Sequence, residues 1–468
     1  MSDEHTRSVM GAYGNQQVHT PTLDKLSRDG IRFTNAYTPS PICIPARASF
    51  ATGTQVFEHT CWSSAEPYFG QHESWMHRLS RQGHDVVSIG KLHYRSATDD
   101  LGFSDQQLGM YLANEGRGWP QGLMRKPLAE FNGTLEMADG IGPGETSYTQ
   151  YDRDITLAAK NWLNQKAESR DNQPWVLFVS FICPHFPLSA PEAFYNLYKE
   201  VDLPKAYDTD AQHHPDHPVL NALRQFYDYN DYFDTEKQIE GLKNYYGLCS
   251  FLDSNVSKIL KVLTATGLDE STQLIYTSDH GDLIGNHGIW GKCYMYEDSV
   301  GIPMTLTGPG INPGTIDTPV SLTDMAATIE TFVTGNCKAT ENSWQGRPIQ
   351  SFINNEDPGR AVISEFHDGG SISGFYMIRQ GRWKYIYYSE GHPDQMFNIE
   401  DDPFELNNLI DLPEFAGVQE KLLTQLRDIL DPEETNSQAF SDQQKMIEKL
   451  GGLEAVKNFK SFNHTPIE

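Results

Sequence analysis

Trp175-Val176-Leu177-Phe178-Val179-Ser180-Phe181-Ile182, followed at once by Cys183-Pro184-His185-Phe186-Pro187, is the stretch that decides the fold. A run this apolar, rich in β-branched and aromatic side chains and closed by prolines, reads as a strand buried on both faces. Two more runs repeat the pattern. Val86-Val87-Ser88-Ile89 leads into Gly90-Lys91-Leu92-His93, and Gln273-Leu274-Ile275-Tyr276-Thr277 leads into Ser278-Asp279-His280-Gly281-Asp282. Helical patterns lie between them. The clearest sets Leu248, Phe251, Leu252, Val256, Ile259, Leu260 and Leu263 at i, i+3, i+4 spacing and stops at Gly267. Strands alternating with helices predict an α/β fold, a large, mainly parallel sheet with helices on both faces. Ligands of such sheets bind beyond the carboxyl ends of the strands. The three polar clusters are therefore expected to converge on one rim.

Toward the C-terminus, past Thr340, the texture changes. Ala361–Phe366, Phe375–Arg379 and Trp383–Tyr388 are short strand-like runs separated by Gly-rich turns, the spacing of a small antiparallel sheet. A helix from Pro413 to Leu430 is expected to pack on it, with the last ~35 residues as a polar helical tail, read as a dimer arm of a homo-oligomer. This divides the chain into a catalytic α/β domain, 1–355, and a small C-terminal α+β domain with its tail, 356–468. At the other end, Met1-Ser2-Asp3-Glu4-His5 opens on polar residues like the end of a strand whose body is missing, with no signal-peptide pattern. A His-, Asp- and Tyr-rich insert between Asp202 and Glu240, with His213-His214-Pro215-Asp216-His217-Pro218 at its centre, reads as an active-site lid or a metal tract.

The 468 residues carry 36 Lys+Arg against 63 Asp+Glu, a net charge of −27 that argues against nucleic acid or an anionic membrane as partner. No apolar run approaches the ~20 residues of a membrane span. Six scattered cysteines in so long a chain do not make a disulfide framework, which favours a reducing, cytoplasmic compartment.

Pro39-Ser40-Pro41-Ile42-Cys43-Ile44-Pro45-Ala46-Arg47-Ala48-Ser49-Phe50-Ala51-Thr52-Gly53 carries the most chemical information. Pro45 suits the first turn of a helix and Gly53 its end. Cys43 would then sit at the positive end of the helix dipole, with Arg47 one turn on along the same face, a setting that draws anions and lowers a thiol pKa. Asp279-His280 at a strand end, with Asp3, offers two carboxylates and an imidazole to a divalent cation: Ca²⁺ first, with Mg²⁺, Mn²⁺ or Zn²⁺ as alternatives. Lys91, Lys292 and Arg47 would bring three cations to a site for a tetrahedral anion.

The segment around Cys43 resembles the type I sulfatase signature, Cys-x-Pro-x-Arg followed by a small-residue helix ending Thr-Gly. Lys91 and His93 match that family's Gly-Lys-x-His element, His185 its histidine ahead of a proline, and His287-Gly288-Ile289-Trp290-Gly291-Lys292 its His-Gly-x-x-x-Lys element. The resemblance runs from Asp3 through Lys292, and the small C-terminal domain fits it. It implies an alkaline phosphatase-like fold. It also implies that Cys43 is oxidised to formylglycine by a formylglycine-generating enzyme, and that Asp3, Cys43, Asp279 and His280 hold the metal. Asp-His at the last two positions looks like the choline sulfatase and phosphonate monoester hydrolase branch, and the second N-terminal carboxylate of the family falls on Glu4. Where relatives carry Trp-Asp-Asn-Ala this chain has Trp62-Ser63-Ser64-Ala65, so an amide contact to the anion is missing at Ser64.

The activity so implied is hydrolysis of a small sulfate monoester to alcohol and inorganic sulfate. The hydrated aldehyde at position 43 attacks sulfur while Arg47, Lys91 and Lys292 hold the oxygens, His185 protonates the leaving alcohol and His93 takes a proton from the second hydroxyl. His287, Trp62 and Ser64 are the expected substrate contacts. Trp62, Tyr68, Trp119 and Phe226-Tyr227-Asp228-Tyr229 are either core packing or a cage for a quaternary ammonium group. Two other readings stay open: phosphonate monoester or phosphodiester hydrolysis on the same fold, and a non-catalytic anion-binding protein. A thiol phosphatase does not fit, because its loop needs Cys and Arg six apart and Arg47 follows Cys43 by four.

Overall fold

The computed structural model describes residues 1–169, 173–210, 214–335, 346–353, 355–462 and 464–467. His213 and the change of texture at Thr340 lie outside the described residues. The strands that matter for the site are β1 (Ile31–Phe33), β2 (Asp85–Lys91), β3 (Asp105–Met110), β4 (Trp175–Ser180), β5 (Leu274–Thr277), β6 (Met304–Thr307) and β7 (Gly314–Ile316). β2 pairs in parallel with β3 and β4, while β5–β6–β1–β7 form a second run. Residues 1–3 join the two runs. The Met1 nitrogen donates to Val179 O at 2.8 Å, Phe181 N to Met1 O at 2.9 Å, and Ser2 N to Thr277 O at 2.9 Å. Parallel bridges Ser2–Ser278 and Asp3–Pro184 complete the junction. The expected strand end is therefore present, inserted between β4 and β5, and it makes one sheet of two. Every strand of that sheet points the same way except β6, which pairs antiparallel with both β5 and β1.

Two apolar layers cover the sheet. One is built on α2 (Ser147–Glu168) and α3 (Thr235–Ala265), with Ile155, Leu252 and Val256 in its core. The other packs α1 (Cys43–Thr52) and α4 (Asp324–Thr334) against Phe178 and Leu306. α3 runs past the heptad-like stripe seen in the sequence and is closed by Gly267 in left-handed backbone (φ 73°), a conformation that glycine adopts without steric cost. The C-terminal sheet, β8 (Ala361–Phe366), β9 (Phe375–Gln380), β10 (Trp383–Tyr388) and β11 (Gln395–Asn398), is an antiparallel meander. Its fourth strand escaped the sequence reading, because Gln395–Asn398 is short and ends in a polar residue. The helical tail does not project as an arm. Ile447 and Val456 pack on Ala65, Leu123 and Met124 of the same chain.

Candidate active site

The carboxyl ends of β2, β4 and β5 lie beside Met1–Asp3, so all three polar clusters meet on one rim. Onto that rim α1 delivers Cys43. Pro45 lies in its first turn and Gly53 ends it in left-handed backbone (φ 75°), its N–H donating to Ser49 O. All ten residues of α1 are buried. Packing therefore holds Cys43 and Arg47 in place from every side. Gly281, just after His280, lies so close to the chain that an added Cβ would fall 2.0 Å from Asp298 O, so only glycine fits there.

Asp3, Cys43, Asp279 and His280 each point one ligand atom at the others, all within 4.8 Å and all buried. Cys43 Sγ lies 3.1 Å from His280 Nε2 and 3.6 Å from Asp3 Oδ1. His280 Nδ1 lies 2.9 Å from Gly281 O, a bond only a protonated Nδ1 can make, so the Nε2 lone pair faces the cluster. Two carboxylates, an imidazole lone pair and the side chain at position 43 form a donor set that suits a divalent cation. Arg47 braces it. Its Nε donates to Asp279 Oδ2 at 2.8 Å, one terminal nitrogen to Asp3 Oδ2 at 3.1 Å, and the other to Lys91 O and Ser180 Oγ. Lys91 Nζ pairs with Asp3 Oδ2. Burial alone would push the Asp3 carboxyl up, but Lys91 and Arg47 outweigh it and hold it well below its usual range.

The thiol runs against expectation. Burial first, then Asp3, push Cys43 up to about 11, although Lys292 and Lys91 pull the other way. A helix N-terminus lowers a thiol pKa when the sulfur stays solvated; here the same packing that fixes the residue removes its water, and desolvation wins. At neutral pH the unmodified side chain is a thiol, not a thiolate nucleophile.

Two cations flank it, Lys292 Nζ at 3.4 Å and Lys91 Nζ at 4.0 Å from Sγ. Lys292 also donates to His185 Nε2 at 2.9 Å and to Glu4 Oε2 at 3.2 Å. With His185 Nδ1 2.7 Å from Phe186 O, this ring carries its proton on Nδ1 and accepts at Nε2. Desolvation and Lys292 keep it neutral, far below the ordinary histidine range. His93 is buried with no hydrogen-bond partner on either ring nitrogen, and burial with Lys91 and Arg47 likewise holds it neutral. Glu4, raised to about 8 by burial, leaves Oε1 unpartnered; with Asp3 and His185 it makes a second cluster of ligand atoms. Glu4 (φ 64°) and His93 (φ 54°) both sit in left-handed backbone, at about 1–3 kcal/mol apiece.

A cavity of about 140 Å³ opens above Cys43, lined among others by Ser64, His93, Trp119, Tyr148, His185 and Lys292. Tyr227 and Tyr229 of the insert also line it. The insert's described histidines His214 and His217 bond to backbone, His214 to Asp208 O and His217 to Pro393 O. The remaining expected contacts divide. Ser64 faces the cavity but gives its N–H to Asp368 at 2.9 Å and pairs its hydroxyl with the same carboxylate. His287 turns away, its Nδ1 3.0 Å from Asp208 and its ring stacked on Tyr296. Trp62 packs on His367 and reaches Asp442, and Tyr68 meets Tyr94; neither lines the cavity. Tyr148, Phe462 and His464 are among the lining residues that went unread in the sequence. Tyr148 is an ordinary helix position there, its hydroxyl donating to Thr465 O, and Phe462 and His464 belong to the polar tail.

Residues 1–333 match the family model described as sulfatase, and residues 285–432 match the C-terminal model of N-sulphoglucosamine sulphohydrolase. The chain is 31% identical over 424 residues to the choline-sulfatase of Rhizobium meliloti (strain 1021), covering 88% of this chain and 81% of that protein. It is 29% identical over 442 residues to arylsulfatase K of Bos taurus, covering 89% and 78%. Among solved structures, the phosphonate monoester hydrolase of Agrobacterium radiobacter superposes with a TM-score of 0.74 at 20% identity, over 94% of each chain.

Proposed function

The chain belongs to the sulfatase family and is a sulfuric ester hydrolase; from that premise we propose how its residues divide the hydrolysis of a compact sulfate monoester among them. The observation that carries the reading is the meeting of Cys43 with three carboxylate and imidazole ligands on one side and two cations, Lys91 and Lys292, on the other. Asp3, Asp279, His280 and residue 43 hold a divalent cation, Ca²⁺ by preference for a site with two carboxylates. That cation, with formylglycine made from Cys43 by a formylglycine-generating enzyme, supplies a Lewis acid for the sulfate oxygens and a hydroxyl nucleophile at neutral pH.

The chain's own side chains do the rest. Arg47 fixes both carboxylates and, with Lys91, keeps Asp3 ionised. Lys91 and Lys292 balance the negative charge that grows on the sulfate oxygens in a pocket without bulk water. The proton shared between the Lys292 ammonium and His185 Nε2 goes to the leaving alcohol, since both residues line the cavity and only Nε2 of that ring is free of a backbone bond. His93, neutral and free at both nitrogens, accepts the proton that residue 43 releases when sulfate departs. The small volume and the aromatic wall of Trp119, Tyr148, Phe186, Tyr227 and Tyr229 favour a compact alcohol over a polysaccharide. Such rings suit a quaternary ammonium group, in line with the choline-sulfatase relative.

The test is turnover by protein co-expressed with a formylglycine-generating enzyme, on a panel of sulfate monoesters, phosphonate monoesters and phosphate diesters, with mass spectrometry of the residue-43 peptide. Sulfate monoesters are expected to lead by at least tenfold in kcat/KM. Preference for the phosphorus esters would move the chain to its alternative chemistry, and an inert protein with full conversion at residue 43 would make it an anion-binding protein. Chelation is expected to abolish turnover and lower Tm, since a ligand held only by the folded state stabilises it.

A further inference from the structure

Asp368 lies buried in the turn between β8 and β9 of the C-terminal sheet and is no part of the cavity lining. Its carboxylate nevertheless holds a residue that is. One oxygen accepts the Ser64 N–H at 2.9 Å and also pairs with the Ser64 hydroxyl. The other accepts the Gly369 N–H at 2.7 Å. Ser64 O in turn accepts the Trp119 N–H at 3.1 Å, and Gly122 N donates to Trp119 O at 3.0 Å. The Trp119 ring stands so near Gly122 and Gly369 that a Cβ added to either would fall 3.0 Å from the indole. Phe131 and Phe226 close on it with ring centroids at 5.7 and 6.0 Å. The indole N–H has no partner, so no polar bond of its own sets where the ring stands.

Given the ester-hydrolase reading of the cavity, on which the assignment rests, we propose that Asp368 is a positioning residue for the alcohol half of the ester. It fixes Ser64, Ser64 fixes the Trp119 backbone, and the indole is held in the cavity wall before substrate arrives. A carboxylate suits the place because donors approach both of its oxygens, whereas an amide would turn its own N–H₂ on one of them. A ring already in place loses less freedom when the alcohol docks, which tightens binding without touching the bond that breaks. Ser64 gains a reason as well. Where relatives carry an amide, this chain has a small side chain that faces the cavity yet gives both of its donors to Asp368.

A double-mutant cycle between Asp368→Asn and Trp119→Ala tests this in the full chain co-expressed with a formylglycine-generating enzyme. Kinetics are read on whichever ester of the panel the wild type turns over fastest, beside amide hydrogen exchange of the substrate-free proteins. Asp368→Asn is expected to raise KM about fivefold with kcat within about twofold, and to speed exchange of the Ser64 and Trp119 amides by about tenfold. Because Asp368 acts through the indole, the double variant should match Trp119→Ala alone, about tenfold up in KM, instead of the ~fiftyfold of independent sites. Ser64→Ala, which drops the hydroxyl bond and keeps the N–H, is the milder second variant: KM about twofold up by itself and no further rise on top of Trp119→Ala. An additive cycle with either variant, a fall in kcat in place of the rise in KM, or Ser64 and Trp119 amides exchanging as in the wild type would overturn the assignment. If the wild type preferred phosphorus esters, the sulfate reading would fall while the cycle, run on that ester, still decided the role of Asp368. If it were inert, exchange at the two amides would decide it alone.

Discussion

Two clusters of buried charge lie in this molecule, and they are built differently. At the rim, Asp3, Asp279 and Glu4 face Arg47, Lys91 and Lys292 around Cys43. Between the two sheets, Lys384 Nζ sits 3.1 Å from Glu297 and 2.7 Å from Glu405, and Arg7 completes the pairing on Glu297. In the second cluster charge answers charge, and none of its residues lines the cavity above Cys43. In the first, both nitrogens of His93 and one oxygen of Glu4 go unanswered, and a cavity stands above. Buried charge by itself is weak evidence of either stability or function. Leftover bonding capacity at a cavity is what separates a site that acts from one that joins two sheets.

Substitutions can break this contrast. The largest effect belongs to Cys43→Ala, which is expected to lower kcat by at least about 10⁴-fold, as removal of a nucleophile does, with little change in Tm. Next come Arg47→Met and Lys384→Met, each of which strips a cation from two buried carboxylates. Both should lose about 3–5 kcal/mol in denaturant unfolding. Only Arg47→Met should also lose turnover per folded molecule, by more than about 10³-fold, while Lys384→Met stays within about twofold. If Lys384→Met were equally inactive while folded, the division between the clusters would fail. Trp119→Ala, at the cavity wall, should raise KM by about tenfold through lost ring contact, against no more than about twofold for Trp62→Phe, remote from the cavity.

The smallest effect is in acid. Burial would raise the Glu297 carboxyl, but Lys384, Arg7 and Arg379 together hold it below 4.5. A folded-state value below the unfolded one stabilises fully above pH 4.5, and that contribution is lost as pH falls below it. Glu405, raised by burial despite Lys384, acts in the opposite sense, its cost easing as pH drops. Glu297→Gln should therefore flatten the fall of Tm between pH 5 and 3, and Glu405→Gln should steepen it; equal slopes in both variants would remove these carboxyls from the acid response.

Much of this was legible beforehand because it is local. β4 and β5 announce themselves by composition, and α1 by a proline inside its start and a glycine past its end. The convergence of three polar clusters follows from the parallel topology. The aromatic wall was only half legible: Trp119, Tyr227 and Tyr229 line the cavity, whereas Trp62 and Tyr68 do not, because an aromatic residue in a loop looks the same whether it faces a core or a cavity.

Residue types and their order along the chain decided the α/β class, the strand ends and the set of groups able to hold a cation and an anion, because periodicity and capping are short-range effects. Burial and pairing were decided by the folded molecule alone. The rise of the Cys43 thiol, the turning of His287 toward Asp208 and the seating of residues 1–3 between β4 and β5 each depend on which distant segments exclude water or offer a partner. Desolvation and hydrogen-bond geometry act over a few ångströms in space, and no spacing along the sequence encodes them.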